Sequence, residues 1–559
     1  MPENPTPPDN SDNPPVDPGD SPESAAPVAS GVAVAERPAE PADRGVAQLY
    51  PGQLPAPVRP PRSVRIPFPH GGPAAIVVSG VAAAVLIPRD RPGIGWLLAG
   101  VVVAIAVYTV DRAARRATAA PDDAAAAVGE NAAAAPESET AVVPAGPGDR
   151  VVWWERVWWT GLALALLSVG AFRAAAWLFA LCVLGAAVAG SLAVVGRRSV
   201  YGMAFDVLAV PFTAAISVPW VYRGLERAQR RRGASGSHRV WWSVAVTVAL
   251  LLVVVPLLAG ADAVFARMVA AVVPEMEVAA LWRWVWVFAT AGLGTAGALY
   301  LLAGPPRVAV DAESGVTRLI SRRFTRLEWG LPVGALTLVF AVFVATQLAV
   351  LFGGDEYVQR TAELTYAEYA RTGFWQLSIV SMLTLGVIWL VWQGAAKRTG
   401  AERLWLRIAL GLVSALSLVI VASAVSRMWI YQQAYGFTVL RLMVEAFELW
   451  IGFVYLLVAA SLMRLDRRWP ARAALGVGLA TLLALAVLNP EKIVAERNID
   501  RWEAGKALDT RYLSRLSADA LPAVDRLPER ERAQIAGPIR AGLEPDPWQG
   551  WNLSRASGR

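Results

Sequence analysis

Apolar residues along this chain fall into blocks of about twenty, the length a helix needs to cross a hydrocarbon layer ~30 Å thick. The blocks lie at 74–87, 93–110, 154–171, 174–195, 240–259, 282–303, 331–352, 374–395, 404–425, 438–463 and 470–488. They predict an all-α fold: a polytopic transmembrane helical bundle with about eleven crossings, ten to twelve by the boundary error. Small residues recur four apart within the blocks, as in Gly185/Ala189 and Gly476/Ala480, which permits close helix packing. Residues 200–221 fit less well, because Asp206, Pro211 and Pro219 interrupt them. They read as a broken span or as a helix lying at the interface.

The remaining stretches divide the chain. Residues 1–72 hold nearly half of the 39 prolines without a sustained apolar period, and are expected to be a disordered tail. No basic, then apolar, start marks a signal peptide. Residues 73–110 form an N-terminal transmembrane hairpin turning at Pro88–Pro92, and 111–149 a disordered linker rich in Ala, Pro, Asp and Glu. The main transmembrane bundle covers 150–488. Residues 489–559 show helical spacing of Leu508, Tyr512, Leu513 and Leu516 and read as an amphipathic helical C-terminal segment packing on the bundle.

Charge orients the blocks. The connections 222–239, 304–330, 396–403 and 464–469 are rich in Arg, whereas 260–280 and 353–373 carry more acids than bases. The positive-inside rule then puts the first set in the cytoplasm. Both 196–199 and 222–239 can lie inside only if 200–221 does not cross, so one interfacial or re-entrant helix joins the eleven crossings. The N-terminus is expected in the cytoplasm and the C-terminal segment outside, in a bacterial cytoplasmic membrane.

Composition agrees. The chain of 559 residues is 55% hydrophobic and 17% charged, with a mean hydropathy of +0.42. Its 23 Trp gather at block ends, among them Trp153, Trp154, Trp282 and Trp284, as in an interfacial belt. The net charge of +7 is nearly all Arg in short connections, which explains it without nucleic acid. Cys182 is the single cysteine and His70 and His238 are the two histidines, so no metal or cofactor site is expected. No phosphate loop, dinucleotide fingerprint, zinc-protease motif or nucleophile elbow occurs, and no catalytic residue is assigned.

The polar positions that stand out lie around residues 426–448. Arg441, Glu445 and Glu448 share a helix face, and Glu448 sits about ten residues into a span, near mid-bilayer. Ionisable groups at that depth mark function by default, although an Arg441–Glu445 ion pair could equally serve packing alone. Four polar stretches are expected to meet on the outer side: Asp262 and its neighbours; Tyr357–Leu377 with Tyr366, Tyr369 and Arg371; Ser426–Arg441 with Arg427, Tyr431 and Tyr435; and the run from Asn489 with Asn498, Arg501 and Asp509. Plainer readings stand beside these. Asp262 caps a helix, the tyrosines anchor a helix in the headgroups, Gly436 and Thr438 make a turn and a cap, and Asn498–Asp519 is a solvated face. Asn552-Leu553-Ser554 fits a glycosylation sequon.

The motifs Y-A-E-Y-A-R-x-G-F from Tyr366, S-R-M-x-x-Y-x-x-x-Y-G-x-T-x-x-R from Ser426 and N-x-x-R-x-x-x-G-K-x-L-D-x-x-Y-L from Asn498 resemble a bacterial family of polytopic membrane proteins defined by a domain of unknown function. The resemblance spans roughly 150–559, with Phe437 standing where that family often has Leu. It implies a multi-pass fold and supplies no activity or site. The expected role is a non-enzymatic sensing or scaffolding component with an outward polar cluster. The alternatives are a carrier or flippase for a lipid or small polar solute acting through Arg441, Glu445 and Glu448, and a membrane-embedded transferase using Asp262. The bilayer is the one partner implied; a protein partner or solute is unknown.

Overall fold

The computed structural model describes residues 66–88, 90–119, 147–196, 203–231, 278–304, 324–362, 374–464 and 469–559, with isolated positions between 243 and 268. The segments expected to be a disordered tail and linker, and the span at 240–259, lie wholly or largely outside them. Helices α1 (Gly72–Leu86), α2 (Gly95–Ala119), α3 (Pro147–Phe172) and α4 (Ala176–Val195) form a first antiparallel set. A bent pair, α5 (Met203–Ile216) and α6 (Val218–Arg231), and then α7 (Val278–Ala303) pack against it. A second set comprises α8 (Arg326–Ala362), α9 (Phe374–Gly394), α10 (Gly400–Tyr435) and α11 (Val439–Arg464). Helix α12 (Pro470–Leu488) touches α11 on one side and α3 and α4 on the other, joining the sets.

Among the described residues eight helices are long and apolar enough to cross a membrane, or nine with the bent pair counted as one, and there is no β-strand. The chain is thus an all-α, polytopic helical protein. Helix α1 is apolar but has 15 residues, roughly 22 Å at 1.5 Å per residue, so it is a short member of the expected hairpin.

The ends of these helices define two faces. On one, α10 turns into α11, α3 into α4 and α1 into α2, and α12 ends. On the other, Arg472 near the start of α12 reaches Glu155 of α3 (2.9 Å), the Gly196 carbonyl after α4, and Asp206 of α5 (3.1 Å). Helix α5 starts there, and Trp220, just past the bend that opens α6, meets the Tyr300 ring edge to face, close to where α7 ends, and donates from Nε1 to the Ile66 carbonyl before α1 (3.2 Å). The pair bends by 54° at Ser217, the geometry of a broken span or of a re-entrant helix.

Sequence chemistry explains the helix boundaries. Thr399 and Glu402 form a reciprocal capping box that starts α10, with Glu402 N–H donating to Thr399 Oγ1 (3.1 Å) and Thr399 N–H to Glu402 Oε2 (3.2 Å). Asn489 takes a left-handed conformation (φ 58°) at the end of α12, and its side chain caps the next helix, which opens on Pro490. Gly185 lets α4 approach α12, because a Cβ there would meet Leu479 at 2.9 Å and Leu166 at 3.2 Å.

Residues 489–559 fold into a helical cap: α13 (Pro490–Glu503), α14 (Thr510–Leu513), a 3-10 turn at Ala518–Ala520, α15 (Leu521–Val524), α16 (Glu529–Ala541) and α17 (Leu553–Gly558). Its core gathers Val494, Ile499, Leu513, Leu521, Val524 and Ile535 and takes in Phe437 from the membrane bundle. Buried polar groups weld it on. Asp519 Oδ2 accepts from the Ala174 and Ala175 amides between α3 and α4 (both 2.9 Å). Asn552 is fully buried and donates to the Gly170 and Arg173 carbonyls (2.9 and 2.8 Å). The sequon asparagine is thus a structural bracket, with no free amide to carry a glycan.

One prediction follows from the Arg472 knot. Asp206 is fully buried, and Arg472→Ala strips the guanidinium from it. Breaking a buried pair from one side costs ~3–5 kcal/mol, so the detergent-solubilised variant should melt several degrees below the parent in a thermal-unfolding assay.

Candidate functional site

The elbow between α10 and α11 is where the sequence motifs converge. Helix α10 stops at Gly436, whose φ of 91° and ψ of 160° suit glycine alone. The break leaves carbonyls at the end of α10 and amides at the start of α11 without helical partners. Side chains supply them. Arg501 of α13 donates from Nε to the Gln433 carbonyl (3.0 Å) and from its terminal nitrogen to that of Ala434 (2.9 Å). Arg441 donates to the carbonyls of Tyr435 (3.3 Å) and Gly436 and to the Tyr431 hydroxyl (3.1 Å), with its guanidinium 4.3 Å over the Tyr431 ring. Asn498 brackets Phe437, accepting from its amide (3.0 Å) and donating to its carbonyl (2.8 Å). The Tyr512 hydroxyl accepts from the Val439 amide (2.8 Å), and Thr438 Oγ1 from that of Arg441 (3.3 Å). The third and fourth motif stretches thus form one clamp.

Below the clamp a seam of polar residues descends between α8, α9, α10 and α11. Gln432 donates to Glu445 Oε2 (2.9 Å). Arg427 donates to Gln347 Oε1 (2.8 Å), which also accepts from Ser423 (3.0 Å). Deeper, Glu448 is fully buried and accepts from the Ser378 hydroxyl of α9. One α-turn pair further, Tyr455 donates to the Ser381 carbonyl (2.7 Å).

Most of the residues singled out from the sequence fall among the described ones. The Arg441–Glu445 ion pair does not form: the elbow's free carbonyls draw Arg441 away and Glu445 takes Gln432 instead. Glu448 takes Ser378 as its partner, on a neighbouring helix 70 residues away in sequence. Arg441, Arg427, Tyr431, Tyr435, Glu445, Asn498 and Arg501 share the clamp and the seam below it. Asp509 is exposed and caps α14 through the Tyr512 amide (2.8 Å). Asp262 is an exposed cap for the Val264 and Phe265 amides (2.8 and 2.7 Å). Tyr366, Tyr369 and Arg371 lie outside the described residues. Asn498 and Asp519, expected on a solvated face, are buried because their side chains bridge backbone groups of the bundle.

Other polar groups escaped the sequence reading. Ser378, Ser381 and Thr384 line one face of α9 at three-residue spacing, as do Ser414 and Ser417 on α10, and Glu448 and Tyr455 lie seven apart on α11. That periodicity was the available signal. Glu491 is the other omission: Oε1 accepts from the Trp177 indole (2.9 Å) and Oε2 from the Ser517 amide (2.6 Å). Among the described residues no three His, Cys, Asp or Glu side chains gather as a metal-binding group. A cavity of about 380 Å³ opens elsewhere on the cap face, between Arg91, Trp284 and Glu544, and holds none of the motif residues.

Residues 161–527 match a family whose shared domain has no assigned function, a narrower range than the resemblance covers. The clamp and the seam fall inside it, whereas α1, α2, α16 and α17 fall outside. No curated protein and no solved structure matches the chain.

Two predictions test this geometry. A Cβ at position 436 would stand 3.0 Å from Asn498 Oδ1 and 3.1 Å from an Arg501 nitrogen. Gly436→Ala should therefore destabilise by ~1–3 kcal/mol from backbone strain alone, and limited proteolysis should release the cap faster than in the parent. Burial pushes the Glu491 carboxyl above its ordinary range, more than its hydrogen bonds lower it. A group raised on folding contributes stability at low pH that is lost as pH climbs through its folded value. Cap stability should fall with rising pH above the usual carboxyl range, and Glu491→Gln should flatten that slope in pH-dependent melts.

Proposed function

The chain belongs to the family of the Domain of unknown function (DUF4153), and from that premise we propose that it is a non-enzymatic sensing or scaffolding component of a bacterial cytoplasmic membrane. Its N-terminus lies in the cytoplasm and its cap faces outward. The observation that carries the reading is the grip of Asn498 and Arg501 on the α10–α11 elbow. A folded extramembrane unit held this way can pass a load or a binding event directly to the two helices that border the polar seam. Charges on α16, with Glu529 exposed and Glu531 half-buried, offer a surface for a partner.

A carrier or flippase is the second reading, favoured by Glu448, a fully buried carboxylate within a span. One pair of measurements separates the two. A photo-crosslinking residue at Glu531 in the full-length protein should give a discrete adduct in cells, and the Asn498→Ala/Arg501→Ala variant should lose it while still inserting. No adduct at Glu531, together with solute uptake by proteoliposomes that Glu448→Gln abolishes, would replace the sensing reading with the carrier.

A further inference from the structure

The cavity of about 380 Å³ on the cap face belongs to neither the clamp nor the seam. Its walls are the end of α1, the turn that follows it, Trp284 of α7 and the cap loop 544–550. All of them but Trp284 lie outside residues 161–527, so the N-terminal hairpin and the C-terminal end build the cavity together. Its volume falls within the ~300–1,000 Å³ of small-ligand sites.

The walls are held in place before any ligand arrives. Arg555 is buried and donates from Nε to both Asp546 oxygens (3.1 Å each). Its terminal nitrogen reaches the carbonyls of Pro92 (2.8 Å) and Gly550 (2.6 Å). The Ile94 amide donates to the Trp551 carbonyl (3.1 Å). These bonds pin the α1–α2 turn to the cap loop, and Pro88, Pro545 and Pro547 stiffen the backbone between them. A site fixed this way loses little conformational freedom on binding.

The lining changes character across the cavity. One side is Val85, near the end of an apolar helix, and Trp284, at the start of a span. Both are exposed, so this side opens toward the membrane layer. The other side carries loosely held charge. Arg91 stands 3.8 Å from Glu544, and Asp90 stands 3.8 Å from Arg283. Both separations exceed the ~2.7–3.2 Å of a hydrogen bond, and the Glu544 and Asp90 side chains are 83% and 88% exposed. Such pairs contribute little as they stand and exchange readily for closer partners. Asp546, in contrast, is committed to Arg555 and Arg559. A ligand of one sign would leave half of the loose charge unmet. A zwitterion meets both halves: a phosphate takes the Arg91 fork, and an ammonium takes Glu544 and Asp90 beside the Trp284 ring.

We infer that this cavity binds an ammonium-bearing alkyl phosphate, the headgroup chemistry of an aminophospholipid, with the glycerol end toward Val85 and Trp284. The inference stands apart from both functional readings above, because it uses no residue of the clamp or the seam.

The test reconstitutes full-length protein in nanodiscs with equal parts phosphatidylethanolamine and phosphatidylglycerol, which share the phosphate and differ in the ammonium. Lipid retained after release into detergent is read by native mass spectrometry. We expect phosphatidylethanolamine to be retained several-fold over phosphatidylglycerol. The Asp90→Asn/Glu544→Gln variant should lose that preference, Arg91→Ala should lower retention of both lipids, and Glu529→Gln, an exposed carboxylate outside the cavity lining, should change nothing. Should the double variant fail to fold, Glu544→Gln alone carries the comparison. Equal retention of the two lipids, or a preference that survives loss of the carboxylates, would overturn the site. Free phosphoethanolamine is the second arm. Failure to displace the retained lipid or to raise the melting midpoint supports a lipid source; a saturable rise in the midpoint, lost in Glu544→Gln, would keep the chemistry and overturn the lipid as its source.

Discussion

A helix that ends near or inside a bilayer leaves amides and carbonyls that neither its own turns nor solvent can satisfy. The architecture of this protein is largely an answer to that constraint. At the α10–α11 elbow the partners come from Arg441, Asn498, Arg501 and Tyr512. At the end of α12, Arg173 donates to the Ala486 and Val487 carbonyls (both 2.6 Å). Between α3 and α4, Asp519 and Asn552 serve the exposed backbone. Arg555, held by Asp546, donates to the Pro92 carbonyl between α1 and α2 (2.8 Å). Most of these side chains belong to the C-terminal cap, so the cap is the part that closes the helix ends of one face.

This gives the motif residues a physical meaning. Charged and amide side chains that looked like a ligand site are mainly bonded to main-chain groups of another segment. A guanidinium suits the task because its fork meets two adjacent carbonyls at once, as Arg501 meets Gln433 and Ala434. The same arrangement couples cap to membrane. Any movement of α13 moves the elbow, and the elbow sets the depth and rotation of α11, on which Glu445, Glu448 and Tyr455 stand. The clamp and the polar seam are therefore joined through α11.

The opposite face solves a related problem with charge. Arg472 gathers Glu155, Asp206 and the end of α4 at a point where α4 ends and α5 and α12 begin. That knot fixes the entry of α5, the first half of the proline-interrupted bent pair.

Much of this was legible in the residues themselves. Twenty-residue apolar blocks set the all-α membrane class, arginine placement set which connections share a face, and Gly436 with Thr438 marked a turn and a cap. These are local or periodic properties, and helix-forming chemistry is local. The partners of Glu448, Arg441 and Asp519 were not legible, because each is decided by which helix end or hydroxyl arrives from tens to hundreds of residues away. Burial of Asn498 and Asn552 belongs to the same class: an amide side chain looks solvated until an unpaired backbone group is brought against it. The sequence by itself determined that the chain is a set of apolar helices long enough to cross a membrane. Only the tertiary structure decided where their unsatisfied groups find partners, since hydrogen-bond complementarity depends on positions in space and not on spacing along the chain.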